Sequence, residues 1–182
     1  MTQSSAPPSR RRSGRVLKGL LIAAGLILAL VGLMAAIGAT LPVRHQASRA
    51  EVYPVPRDTL FALITDAARF PEWRSGLERV ELRPAVEGRR QWLEVGSDGE
   101  ILFEATESEP GRRVVTRIAD PDLPFGGTWT FALDEAPSGA MLRITEDGEV
   151  YNPIFRFMSR YIFGHHQGIE RFHADLRARI GG

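Results

Sequence analysis

The chain has 182 residues, 43% hydrophobic and 25% charged, and no cysteine. That length fits one domain with appendages, and the composition excludes collagen-like, disulfide-stapled and wholly disordered classes. The net charge of +1 conceals an asymmetry: residues 1–49 hold seven basic groups and no acid, which leaves 16 basic and all 22 acidic groups on the rest, a net of −6. A domain that acidic lacks the basic stripe with which nucleic-acid binders displace counterions, so no nucleic-acid partner is expected.

Residues 1–18, rich in Ser, Pro and Arg, are expected to form a disordered basic tail. No charged residue occurs from Gly19 to Val43, and Gly19–Leu41 contains 11 Leu, Ile and Val. At the usual insertion energies these favour a membrane helix by roughly 3–6 kcal/mol. Residues 19–41 are therefore expected to be a transmembrane helix. The alternative is a cleaved signal peptide, whose apolar region is shorter and ends in a small-x-small site; Ile37-Gly38-Ala39 is a passable one. Five basic residues precede the helix and only Arg44 and Arg49 follow closely. The basic-side rule places the N-terminus in the cytoplasm and the main domain on the outer side of a plasma (inner) membrane, crossed once. Gly25, Ala29, Gly32 and Ala36 share one helix face, the pattern of a homodimer seam or of ordinary small filler. Residues 42–47 read as a tether and 48–182 as the folded domain.

The domain opens with a short strand, Ser48–Tyr53, and Pro54-Val55-Pro56. A helix over 57–66 follows, with Leu60, Phe61, Leu63 and Ile64 as its apolar stripe. Pro71 then breaks the pattern at Phe70-Pro71-Glu72-Trp73. Strands are expected near 77–83, 90–95, 100–108, 112–119, 128–134 and 140–150, separated by turn sequences such as Glu87-Gly88 and Pro137-Ser138-Gly139. Short separators favour an antiparallel meander. The last element is expected to be one long helix, 154–180, entered through Asn152-Pro153. Its stripe runs Ile154, Met158, Ile162, His165, Ile169, Phe172, Leu176, Ile180.

The order of these elements resembles the START-like or SRPBCC (polyketide cyclase/dehydrase-like) superfamily over 48–182. The residues that carry the likeness are Pro54-Val55-Pro56, Asp66, Phe70-Pro71-Glu72-Trp73, Gly127-Thr128-Trp129-Thr130-Phe131, Ile144–Val150 and Asn152-Pro153. The resemblance implies an α+β helix-grip fold, a curved antiparallel sheet wrapped around a long C-terminal helix and enclosing an apolar cavity. It also implies a hydrophobic small molecule or lipid as ligand; only some members are catalysts, and none of this calls for a cofactor. The membrane helix lies outside the minimal family domain.

His165 stands in the middle of an apolar stripe, where an imidazole is either a polar contact for a ligand or a core histidine satisfied by a carbonyl. Glu146 shares strand parity with Leu142, Ile144 and Val150, so it faces the same side as they do. There it is either paired with an arginine or free to contact ligand. Trp73, Trp129, Phe131, Ile169 and Phe172 are ligand-binding candidates as cavity wall, with core packing the alternative, and an exposed Trp73 would instead suit the membrane interface. Phe125 belongs to the Pro/Gly-rich stretch 120–127, a candidate gate. His166, Glu170 and His173 share a helix flank, but no second ligand cluster accompanies them, so a metal site is not expected. G-x-S-x-G, H-E-x-x-H, P-loop and G-x-G-x-x-G patterns are absent. The leading expectation is a membrane-anchored carrier of a hydrophobic molecule. A cyclase/dehydratase-like enzyme using the same cavity comes second, and a non-enzymatic envelope interaction module third.

Overall fold

The computed structural model describes residues 10–181. Arg10–Thr40 form a single helix, α1. Residues 10–18, expected in a disordered tail, are thus helical. Arg, Val, Leu and Lys are adequate helix formers, and extending an existing helix needs no new nucleus. Residues 1–9 of that expected tail lie outside the described residues. Within α1, Val16–Thr40 is long and apolar enough for a membrane span or a signal sequence. Gly25 and Gly32 have open space where a side chain would begin, and Ala29 and Ala36 are likewise exposed.

The expected tether is shorter than the sequence implied, because strand β1 spans Arg44–Tyr53. Its first residues pair with the end of the last strand, Arg44 opposite Glu149 and Gln46 opposite Asp147. Both side-chain pairs hydrogen-bond, at 2.9 and 2.7 Å, and such cross-strand partners extend a ladder. Helix α2 (Arg57–Thr65) and a 3-10 helix (Ala67–Glu72) follow. The remaining strands are β2 (Leu77–Val86), β3 (Arg89–Gly96), β4 (Gly99–Glu109), β5 (Arg113–Ile118), β6 (Phe125–Ala136) and β7 (Gly139–Val150). All seven form one antiparallel sheet in the order β1-β7-β6-β5-β4-β3-β2. Register shifts in β2 and β4 bend their strands and help curl the sheet.

The C-terminal helix is not continuous. It consists of α3 (Pro153–Met158), a π-helical turn (Ser159–Phe163) and α4 (Gln167–Gly181). Asn152 Oδ1 accepts from the Ile154 and Phe155 amides and so caps α3. Gly164, at φ 76°, ends the π turn in the left-handed region that glycine tolerates. The 3/4-spaced stripe concealed this break. Ile162 leaves the stripe and is exposed, and His165 lies in the connection between the two helices.

Helix α4 is the one gripped by the sheet. Its Ile169, Phe172 and Leu176 pack with Phe131, Leu142 and Ile144 from β6 and β7 and with Leu60 and Ile64 of α2. A second cluster joins Ala67, Phe70 and Trp92 at the β2–β3 side.

Candidate functional site

Between the concave face of the sheet and the C-terminal segment lies a cavity of about 880 Å³. Small-molecule sites run to roughly 300–1,000 Å³, so this cavity falls within the range of ligand sites. Part of its wall is an aromatic set, Phe70, Trp92, Phe103, Trp129, Phe131 and Phe172. These rings brace one another, Trp92 stacking on Phe103 at 5.9 Å and Phe172 meeting Phe131 at 5.3 Å between centroids. Alternation on β6 places Trp129 and Phe131 inward, and that on β4 places Ile101, Phe103 and Ala105 inward.

Polar groups also line the cavity, among them Ser75 bonded to Asp175, Arg171 bonded to Asp98, and two clusters set among the aromatic rings. On the β3 side, Glu94 is only 7% exposed. Its Oε1 accepts from Arg74 Nη1 at 2.7 Å and from the Trp92 indole N–H at 3.0 Å. The Arg74 guanidinium also stands 5.1 Å from the Phe70 ring centre and 5.5 Å from that of Phe172. A planar cation between a carboxylate and two ring faces is held in one orientation. Sequence reasoning passed over both residues. Glu94 shares strand parity with Trp92, the same signal that singled out Glu146.

The other cluster lies on the β7 side, four strand spacings away, about 19 Å along the sheet. His45 on β1 stacks on His165, with ring centres 4.0 Å apart. Its Nε2 is 3.7 Å from Glu146 Oε1. His165 Nδ1 shares a hydrogen bond of 2.9 Å with Ser159 Oγ on the π turn. Burial lowers the His165 pKa, with the neighbouring His45 and Arg160 adding to the effect and Glu146 opposing it. The imidazole is therefore neutral at neutral pH, able to accept or to donate one hydrogen bond. His45, assigned from sequence to the tether, is a member of this cluster because β1 begins at Arg44.

Of the sequence candidates, His165, Glu146, Trp129, Phe131, Phe125 and Phe172 line the cavity. Ile169 does not; it is fully buried in the main core. Trp73 also stands apart, packed between the two clusters with its indole N–H buried and unpartnered. The expected gate over 120–127 is shorter than proposed, since Phe125, Gly126 and Gly127 are ladder residues of β6 paired with β7. The Tyr151 amide further pins the loop by donating to the Pro124 carbonyl. Instead, Phe155, Met158, Ser159 and Phe163 cover that side of the cavity. His166, Glu170 and His173 do not converge. His173 is fully buried, its Nδ1 2.6 Å from the Tyr53 hydroxyl, whereas Glu170 is exposed and faces Arg49.

Residues 44–179 match the family model described as "Polyketide cyclase / dehydrase and lipid transport". No curated protein sequence matches the chain. Among solved structures, a START superfamily protein from Mycobacterium smegmatis superposes with a TM-score of 0.61 at 15% identity, over 75% of this chain and 97% of that one. The di-domain ARO/CYC StfQ of the steffimycin biosynthetic pathway gives 0.59 at 14% identity, over 76% of this chain and 50% of its own, so the chain spans half of StfQ. TTHA0849 from Thermus thermophilus gives 0.57 at 20% identity, over 75% and 96%. At such identities the likeness concerns the fold.

Proposed function

The chain belongs to the polyketide cyclase / dehydrase and lipid transport family, and from that premise we propose that its domain binds one hydrophobic or amphipathic small molecule and holds it beside a membrane. The observation that carries this reading is the aromatic cavity of about 880 Å³ with a polar cluster at each side. Apolar burial supplies the affinity, at about 25 cal/mol per Å². Arg74–Glu94 and the His45–Glu146–His165 group fix orientation by hydrogen bonding to polar atoms of the ligand.

Helix α1 serves as an uncleaved anchor in this reading. Its last turn is fitted to the domain: a Cβ at Gly38 would overlap the Pro153 carbonyl, and Arg156 Nη1 donates to the Leu41 carbonyl at 2.8 Å. A leader destined for removal has no need of such contacts. The basic residues in the first turns of α1, Arg10 to Lys18, favour a cytoplasmic N-terminus and an external domain. Alkaline phosphatase fused after Gly182 is expected to be active; activity only of a cytoplasmic reporter at that point overturns the orientation.

The binding reading is tested on the full chain reconstituted in nanodiscs of a single synthetic lipid. Organic extraction and mass spectrometry should yield a compound other than that lipid, near one per protein. An extract holding only the synthetic lipid, with no binding of added membrane extract, overturns it.

A second reading, acid/base chemistry on the bound molecule, is favoured by one observation: the neutral His165 hydrogen-bonded to Ser159 beside His45 and Glu146. The two readings diverge in the same extraction. A carrier returns the same compound from wild type and from His165→Ala. A dehydrating enzyme returns from the variant a precursor heavier by one water.

A further inference from the structure

We propose that the segment 151–163, which joins β7 to Gly164, is a bilayer-docking surface, and that the side of the cavity it covers faces lipid and not water. The proposal rests on the reading of α1 as a membrane anchor. Beyond α1, nine large hydrophobic residues are exposed among the described residues, and five fall in this short segment: Tyr151, Phe155, Tyr161, Ile162 and Phe163. Tyr161 and Ile162 are each 59% exposed and Phe163 53%. Consecutive exposed Tyr, Ile and Phe on one turn form a ridge, and a soluble surface of this kind is unfavourable unless something covers it.

The occupant is identified by what the segment is attached to. Val16–Thr40 rises about 37 Å as a helix, against a hydrocarbon thickness of roughly 30 Å, so its last turn leaves the apolar core at the interface. Helix α3 is fixed at that level, with Pro153 against Gly38 and Arg156 bonded to the Leu41 carbonyl. The ridge that follows is therefore tethered within a few residues of the helix exit. Its composition suits that depth: aromatic side chains settle at the headgroup boundary, and the exposed Arg160 supplies a cation for phosphate. An amphipathic stretch with an apolar face and basic flanks lies in the interface plane.

The same segment contacts the cavity. Phe155, Met158, Ser159 and Phe163 line it, and Phe155 and Phe163 are exposed as well. At Phe155 and Phe163 a single side chain separates the cavity from the outer surface of the segment. Gly164, at φ 76°, ends the segment and separates it from α4. A hydrophobic ligand passing there moves between acyl chains and aromatic wall without crossing water.

The absence of cysteine makes the test direct. Single cysteines at Ile162, at Leu28 in the middle of α1 and at Ser138 in the β6–β7 turn are labelled with bimane. The full-length variants are reconstituted in phosphatidylcholine liposomes containing a phosphatidylcholine spin-labelled high on its acyl chain. The expected result is quenching at Ile162 several-fold above that at Ser138, with Leu28 quenched by a deeper spin label. If Leu28 is quenched and Ile162 matches Ser138, the docking surface is wrong while the anchor stands. If Leu28 is not quenched by the deep label, the anchor reading fails and the proposal with it. An Ile162 signal that is unquenched and changes with protein-to-lipid ratio assigns the ridge to a second copy of the chain and also overturns the proposal.

Discussion

Glu94 and Glu146 are carboxylates on strand faces turned toward the cavity, and the difference in their partners sets what each can do. Glu94 receives a guanidinium and an indole N–H directly, whereas Glu146 faces only His45, at 3.7 Å. Removing one partner of a buried pair leaves the other charge uncompensated, so Arg74→Ala should cost about 3 kcal/mol in a urea titration, the low end for such a change because Arg74 remains partly hydrated. Arg74→Ala combined with Glu94→Gln should recover much of that loss; an equal loss in the double variant would show the pair not to be the cause. His173 makes a pH prediction. Burial lowers its pKa, Glu51 opposing, so below the ordinary histidine pKa of 6.5 the unfolded chain binds the proton that the folded chain resists. Stability is then fully present above 6.5 and falls as the pH drops from there to the lowered folded value. His173→Gln should flatten the fall between about pH 7 and pH 5; an unchanged slope assigns it to other groups. At this scale, strand alternation made Glu146 legible and made Glu94 equally legible, since both obey it. The His45–His165 stack was not legible, because it joins residues 120 positions apart through the pairing of β1 with β7.

Helices α1 and α3 pack together, and Gly38 is where their backbones approach too closely for a side chain. A side chain at Gly38 would collide with backbone, which cannot move aside as a flexible side chain does, while Gly25 and Gly32 have open space around them. Gly38→Val should accordingly separate the two helices and raise amide hydrogen exchange over 153–158 by about tenfold or more, a loss of some 1.4 kcal/mol in local stability. Gly32→Val should leave that exchange unchanged, and equal effects of the two substitutions would disprove the packing argument. The small residues of α1 looked equivalent in sequence, and only the position of α3 distinguishes Gly38 from the rest. The seven strands and α2 were readable from alternation, turn residues and the apolar stripe. The break in the C-terminal helix was not, because a period of 3.6 continues across it and Gly164 alone was insufficient to announce it.

For the molecule as a whole, the cavity exists because the sheet curls farther from α4 than the side chains of the two can fill. Ala105 on β4 faces into it. Ala105→Phe should occupy that space, lower the amount of co-extracted ligand about tenfold and leave urea stability within about 1 kcal/mol. Undiminished ligand in a folded Ala105→Phe protein would place the binding site elsewhere. The sequence by itself determined the apolar helix, the succession of antiparallel strands and the heavy faces of β6 and β7, because hydrophobic periodicity and turn chemistry are local properties of the chain, and the resemblance of the element order to the START-like superfamily supplied the helix-grip class. It also made His165, Glu146, Trp129 and Phe131 stand out. Only the tertiary structure decided that Trp73 and Ile169 belong to the core, that Arg74 and His45 join the cavity, and that Tyr161, Ile162 and Phe163 emerge as a ridge beside the exit of α1. Those outcomes depend on which distant strands and helices come together, and no local pattern of residues encodes that.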